Sequence, residues 1–132
     1  MNEKGQSVFV RYRIVPRAGE QYLSADERKA QGASYLQDEI VKRLADRPIV
    51  FDWYAQVAEA SDKVEDPSVA WPETRKTVKL GTFSLTKVPA DPDAAQGALL
   101  FRPGQPHPGV EPADPMLVLR NKAYPISFKE RQ

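Results

Sequence analysis

Near the end of the chain, residues 120–131 read RNKAYPISFKER. A tyrosine stands four residues after one arginine and seven before another. On a helix, Met116, Arg120, Tyr124, Ser127 and Arg131 share a face. A tyrosine hydroxyl titrates near pH ~10 and is a poor metal ligand while it keeps its proton. Ferric iron favours the phenolate, and an arginine one turn away favours it further by opposite charge. Arg131, about two turns on, carries the fork that suits a carboxylate. Met116 offers a soft apolar surface to a flat ring. Spacing alone leaves a second reading open: a half-exposed helix side with an ordinary Arg–Tyr pair.

Composition narrows the chemistry. The 132 residues are one domain's worth of chain, with 41% hydrophobic residues, enough for a modest core. Lys plus Arg is 19 and Asp plus Glu is 18, a balance that gives no electrostatic reason to expect nucleic acid or an acidic membrane surface as partner. No apolar run approaches the ~20 residues of a membrane span. The first residues, MNEKGQSVFV, lack the apolar stretch of a signal peptide. The compartment stays open on these grounds. Cysteine is absent and His107 is the single histidine, which excludes disulfides, thiolate metal centres, cysteine nucleophiles and histidine-rich metal sites.

Elements must hold the tyrosine face in place. SVFVRYRIV (7–15) alternates, with Val8, Val10, Tyr12 and Ile14 on one face and Phe9, Arg11 and Arg13 on the other, and is expected as a strand with one face buried. Ser24-Ala-Asp-Glu27 has the form of a capping box before a short helix. A second helix is expected over about 34–45, with Leu36, Ile40 and Leu44 as its apolar stripe. IVFDWYAQVA (49–58) is the best strand: Ile49, Phe51, Trp53, Ala55 and Val57 against Asp52, Tyr54 and Gln56. TVKLGTFSLTKV follows a polar loop, and its phase slips at Gly81, which reads as a bulge. Prolines crowd between Pro89 and Pro125, so 89–115 is expected as loop. Pro115 suits the first turn of a helix over 116–131, and Pro125 is expected to kink it. Three strands cannot close a barrel, and an open edge is normally covered or paired. A partner chain, or the rest of a larger fold, is expected.

Several segments together carry a family resemblance. PGVEPADPMLVLRNKAYP (108–125) resembles the proximal-tyrosine segment of the haem catalases, a Pro-Gly-Ile-Glu-Pro-like turn followed by a helix with Arg, three residues, Tyr and Pro. NEKGQSVFVRYRIVP is similar to the family's Asn-x-x-Gly strand start. YLQDEIVKRL and RPIVFDWYAQVA resemble its helix and barrel strand, with Trp53, Tyr54 and Gln56 in the Phe/Trp-x-Gln pattern. DPSVAWPETRKTVKLGTFSL resembles its Trp-Pro loop and glycine-bearing strand. The order and gaps match together, and FVRYRIVP and AYPISFKER look closest to the small catalase-related peroxidases.

The resemblance implies an α+β fold: an antiparallel half-barrel of about three to four strands, a helix pair after the first strand and a C-terminal helix. It implies a single catalase-like domain over 1–132, with half-barrel strands and helix pair in 1–88, a Pro-rich loop over 89–115 and a proximal haem helix over 116–131. It implies haem, of the b type by family habit, and hydrogen peroxide as oxidant, in an oxidoreductase of oxidative stress response. Tyr124 matches the axial iron ligand, as tyrosine is in catalase. Arg120 matches the arginine that supports the phenolate, Arg131 one that reaches a haem propionate, and Met116 a residue packed near the porphyrin. Phe128 and Lys129 stand where the family often has histidine or a basic residue. The family's distal histidine and asparagine belong to a preceding half, so the chain reads as the C-terminal, truncated portion. His107 reads as a loop histidine. Peroxide cleavage also needs a distal base, typically worth ~10²–10⁴-fold, so the segment alone is expected to be weak or inactive. A second chain or self-association completing the barrel is one expectation. The alternative is a non-catalytic haem-binding or assembly module that uses an open strand edge.

Overall fold

The computed structural model describes residues 5–132. The Asn-x-x-Gly strand start of the sequence reading lies mostly outside that range. The elements run β1 (Val10–Pro16), α1 (Ala25–Ala30), α2 (Tyr35–Asp46), β2 (Ile49–Val57), β3 (Thr77–Leu85), α3 (Pro92–Gly97) and α4 (Pro115–Glu130). The sheet has the order β1-β2-β3. Its register is antiparallel: Arg17 N donates to Val50 O and Ala58 N to Phe9 O on one side of β2, and Val57 N to Lys76 O on the other. The α+β class, the open sheet, the helix pair after the first strand and the C-terminal helix are as expected. Contacts divide the chain into two units, one of residues 1–11, 56–77 and 91–132, the other of 12–55 and 78–90.

In the second unit the apolar and polar sides of the sheet are both organised around β2. Phe51 stacks on Phe83 with ring centroids 5.2 Å apart. Tyr12 meets Trp53 edge-on at 5.1 Å, a favoured geometry for the ring quadrupoles. On the other side Asp52 gathers charge. It accepts from Arg17 Nε at 3.0 Å and Nη2 at 2.8 Å, and from Thr82 Oγ1 at 2.6 Å, and it lies 2.7 Å from Lys79 Nζ. Lys79 and Thr82 are three residues apart, which an unbroken two-residue period would send to opposite faces. Their shared partner is the arrangement expected where the alternation slips by one at Gly81. α1 carries the capping box: Ser24 Oγ accepts from Glu27 N, and the Glu27 carboxylate accepts from Ser24 N. On α2 the side facing inward is Tyr35, Glu39, Ile40, Arg43 and Leu44, while Leu36 is exposed. Glu39 and Arg43 pair across one turn of the same side.

In the first unit the polar loop between β2 and β3 is mostly exposed but is held by a few enclosed side chains. Trp71 is 7% exposed, and its Nε1 donates to Lys63 O at 3.1 Å. Gln56 is buried and donates to Pro72 O at 2.9 Å. Arg11 donates to the carbonyls of Val69, Lys63 and Asp66 at 2.5, 3.2 and 2.8 Å, with its guanidinium 4.2 Å from the Trp71 ring centre. Arg75 donates to both oxygens of Asp62 and pairs with Glu59.

The covered side of β1 is the one that bears the arginines. Val8 is 66% and Ile14 57% exposed. Arg11, Arg13 and Pro16 are the less exposed residues of the strand. A guanidinium has five donors, and the orphan carbonyls of an irregular loop reward its burial. The expected loop over 89–115 also contains a helix. Asp91 caps α3 by accepting from Ala94 N, and Pro92 fits its first turn.

The Asp52 cluster makes acid stability testable. Hydrogen bonds from Arg17, Lys79 and Thr82, in that order, hold its carboxyl far below the ordinary value of 3.8. A carboxyl lowered on folding contributes stability that is whole above about pH 4 and lost as the pH falls through the folded value. Thermal melts of Asp52→Asn should therefore show a lower midpoint at neutral pH and a shallower loss below pH ~4 than the parent chain. Parallel curves for the two would show that the cluster is not coupled to folding.

Candidate functional site

The last helix starts where its sequence says it should. Asp114 accepts from Met116 N at 2.8 Å and Pro115 occupies the first turn. α4 then runs through Pro125 to Glu130. Proline at this point leaves the turn without one amide donor, so side-chain contacts have more to do in holding the helix.

Three of those contacts fasten α4 to the segment that precedes it. Gly104 N donates to Asn121 Oδ1 at 2.9 Å. Arg131 Nη2 donates to Leu99 O at 3.3 Å, and Gln132 Nε2 to Gly97 O at 2.9 Å. Gly104 is buried. A Cβ there would lie 2.8 Å from Asn121 Nδ2, 2.9 Å from Leu117 O and 3.1 Å from Leu117 Cβ. The loop thus lies directly on the helix backbone, an approach open to glycine because it has no side chain. The half-buried residues of α4 are Leu117, Asn121, Tyr124, Pro125 and Phe128. A shallow cleft beside this seat is lined by Arg102, Gln105, Pro106, Asn121 and Pro125.

Tyr124 sits at the margin of the packed stripe. At about 100° per residue it lies between Leu117 and Phe128 on one hand and Met116 and Arg120 on the other. Met116 and Arg120 are exposed, and Tyr124 is half-buried. The Arg120 guanidinium donates to the Tyr124 hydroxyl and lies 5.0 Å from its ring centre. Of the four residues singled out by sequence, the structure brings Arg120 and Tyr124 together, with Met116 one turn before Arg120. Arg131 is at the end of the helix, where its Nε donates to Ser127 O at 3.2 Å in addition to the Leu99 contact. His107 lies in a tight turn, exchanging backbone hydrogen bonds with Val110 across Gly109, whose φ is 79°. Among the described residues, no group of three or more His, Cys, Asp or Glu could hold a metal ion. No helix of the described residues is long and apolar enough to cross a membrane.

Sequence reasoning missed Asn121 and Gly104. Asn121 is an amide within the otherwise apolar and basic run PMLVLRNKAYP. Gly104 stands in a Pro-Gly pair that reads as an ordinary turn. The signal available was a helix-interior Asn, a residue type that competes with the helix for backbone partners and is seldom there without one.

A family model described as catalase matches residues 1–132. A catalase-related peroxidase of Synechococcus elongatus is 33% identical over 132 residues, covering 99% of this chain and 39% of the relative. One of Mycolicibacterium paratuberculosis is 38% identical over 128 residues, covering 96% of this chain and 41% of the relative. The chain therefore spans about two fifths of the length of these relatives. The crystal structure of a fungal catalase shares the fold with a TM-score of 0.83 at 21% identity, over 98% of this chain and 28% of that one.

The seat of α4 yields a stability prediction. Gly104→Ala places a methyl group against the Leu117 carbonyl, a backbone atom that cannot rotate away, and overpacking of this kind costs about 1–3 kcal/mol. Gly97→Ala, where a Cβ meets nothing within 4 Å, is the control. Urea midpoints should fall for the first and hold for the second; equal midpoints would show that the loop does not rest on the helix.

Proposed function

The chain belongs to the catalase family, and on that premise we propose that α4 is the proximal haem helix of a peroxide-dependent oxidoreductase. Tyr124 would supply an oxygen ligand to the iron, Arg120 would support that oxygen, and Met116 would pack against the porphyrin. Arg131 is the residue for a propionate. The reading covers the chain as one catalase-like portion, 1–132, with ferric haem of the b type and hydrogen peroxide as oxidant. The relatives' names as catalase-related peroxidases support it at the level of reaction class.

One observation carries the assignment. The Arg120 guanidinium donates to the Tyr124 hydroxyl on the exposed margin of α4. A guanidinium only donates, so the contact engages a lone pair of the phenol oxygen and strengthens when that oxygen bears negative charge. The donor set fits a ferric porphyrin: an oxygen ligand rather than a nitrogen or sulfur one, a neighbouring cation, and an exposed thioether. Haem, when bound, supplies the iron at which a peroxide O–O bond is cleaved, and a phenolate oxygen makes that iron electron-rich. Arg120 fixes the direction of the oxygen and balances its charge. Asp114 and Pro115 set where the helix begins, and so how far along it the ligand lies.

Two variants test the assignment. Tyr124→Phe keeps the ring and removes the oxygen. Titration with ferric haem should show affinity reduced by at least tenfold and loss of the phenolate-to-iron absorption band, with the circular dichroism of the sheet unchanged. Equal haem affinity in the two chains would refute ligation. Arg120→Leu leaves the oxygen without its cation, and ligation then depends on shedding a proton that a phenol ordinarily keeps until pH ~10. Haem affinity of that variant should rise with pH across the neutral range; a flat profile would break the link between the two residues. Adding peroxide to the haem-loaded parent chain separates a catalytic segment, which releases oxygen or oxidises a donor, from a haem-binding module, which does neither.

A further inference from the structure

We infer that Asn121 is a positioning residue for the Tyr124 oxygen, acting through the seat it forms with Gly104. This rests on the reading of Tyr124 as a haem ligand, and it concerns how the chain aims that ligand.

The argument begins with rotation. A helix in contact with its neighbours through apolar side chains alone can turn by several degrees at little cost, because dispersion is spread over many weak contacts. A turn of that size moves a tyrosine hydroxyl, which lies far from the helix axis, by an appreciable fraction of an ångström. Ligation and hydrogen bonding do not tolerate such drift. Something directional must fix α4 about its own axis. Arg131 and Gln132 tie the end of the helix, two turns beyond Tyr124. The proline at 125 interrupts the amide ladder between that end and the tyrosine. The tie on the near side is Asn121, one turn before the proline and three residues before the ligand.

Its geometry suits the task. Asn121 Oδ1 accepts from Gly104 N at 2.9 Å, a bond that closes a span of 17 residues. The same side chain presents Nδ2 where a Cβ on Gly104 would come within 2.8 Å, and the Leu117 carbonyl, one turn earlier, would come within 2.9 Å. The helix is tied to the loop by a directional hydrogen bond, and the loop backbone lies too close to the helix for a side chain to fit between them. Tyr124 then emerges at the edge of the seated face, where Arg120 can reach its hydroxyl from the exposed side. Asn121 touches neither ligand oxygen nor Arg120 in this account; it sets where the oxygen stands.

The test uses Asn121→Leu, which removes the acceptor at similar size, and Asn121→Asp, which retains an acceptor oxygen for Gly104 N. The first readout needs no cofactor. In the unliganded chain with ¹³C-labelled tyrosine, the Tyr124 ring resonance, assigned by its loss in Tyr124→Phe, should shift in Asn121→Leu and return toward the parent position in Asn121→Asp. The second is titration with ferric haem. Asn121→Leu should lose roughly three- to tenfold in affinity, the ratio set by one hydrogen bond, and its phenolate-to-iron band should move or weaken. Asn121→Asp should restore both. An unmoved ring resonance together with unchanged haem affinity in Asn121→Leu would overturn the inference, as would Asn121→Asp behaving like Asn121→Leu. Failure of the underlying reading looks different: Tyr124→Phe would bind haem as the parent does, while the resonance experiment would still report whether Asn121 places the ring.

Discussion

The hydrogen bond from Gly104 N to Asn121 Oδ1 is the constraint on which the organisation of the C-terminal region turns. It joins a proline-rich segment with little regular structure to a helix that itself contains a proline. Pro-rich chain has few internal hydrogen bonds, and α4 loses an amide donor at Pro125. Seated together, they cover the 117/121/128 side of the helix and leave Met116 and Arg120 uncovered. Tyr124 is on the dividing line, which is the position a ligand needs: anchored at its base, available at its tip.

The same economy appears elsewhere in the chain. Irregular backbone is held by cationic side chains that satisfy several carbonyls or carboxylates at once. Arg11 serves three carbonyls and stacks on Trp71, Arg75 bridges Asp62 and Glu59, and Arg17 forks onto Asp52. Arginine suits this because its planar fork is preorganised and does not lose its charge.

What could be read from sequence was whatever depends on neighbours a few residues apart. The Ser24–Glu27 capping box, the Pro115 helix start and the Arg120–Tyr124 pair all rest on residues four or fewer apart. β2 was legible because its alternation is long and unbroken. Which face of β1 is covered was not legible, because alternation says that two faces differ and not which one is covered. What covers Arg11 is a loop 52 to 58 residues away in sequence. α3 was obscured by proline density, although its Asp91–Pro92 start carried the usual signal. The Gly104–Asn121 seat joins residues 17 apart and has no periodic signature, so the helix-interior Asn hinted at a partner without saying which. Arg131 was legible as a residue type, while its use on the carbonyls of Ser127 and Leu99 was not.

The central claim is that the oxygen of Tyr124 binds ferric iron. Resonance Raman spectroscopy of the haem-loaded chain, excited in the phenolate-to-iron band and repeated with ring-deuterated tyrosine, examines that bond itself. The account predicts enhanced tyrosinate modes that move with the isotope. Porphyrin modes alone, insensitive to tyrosine labelling, would contradict it.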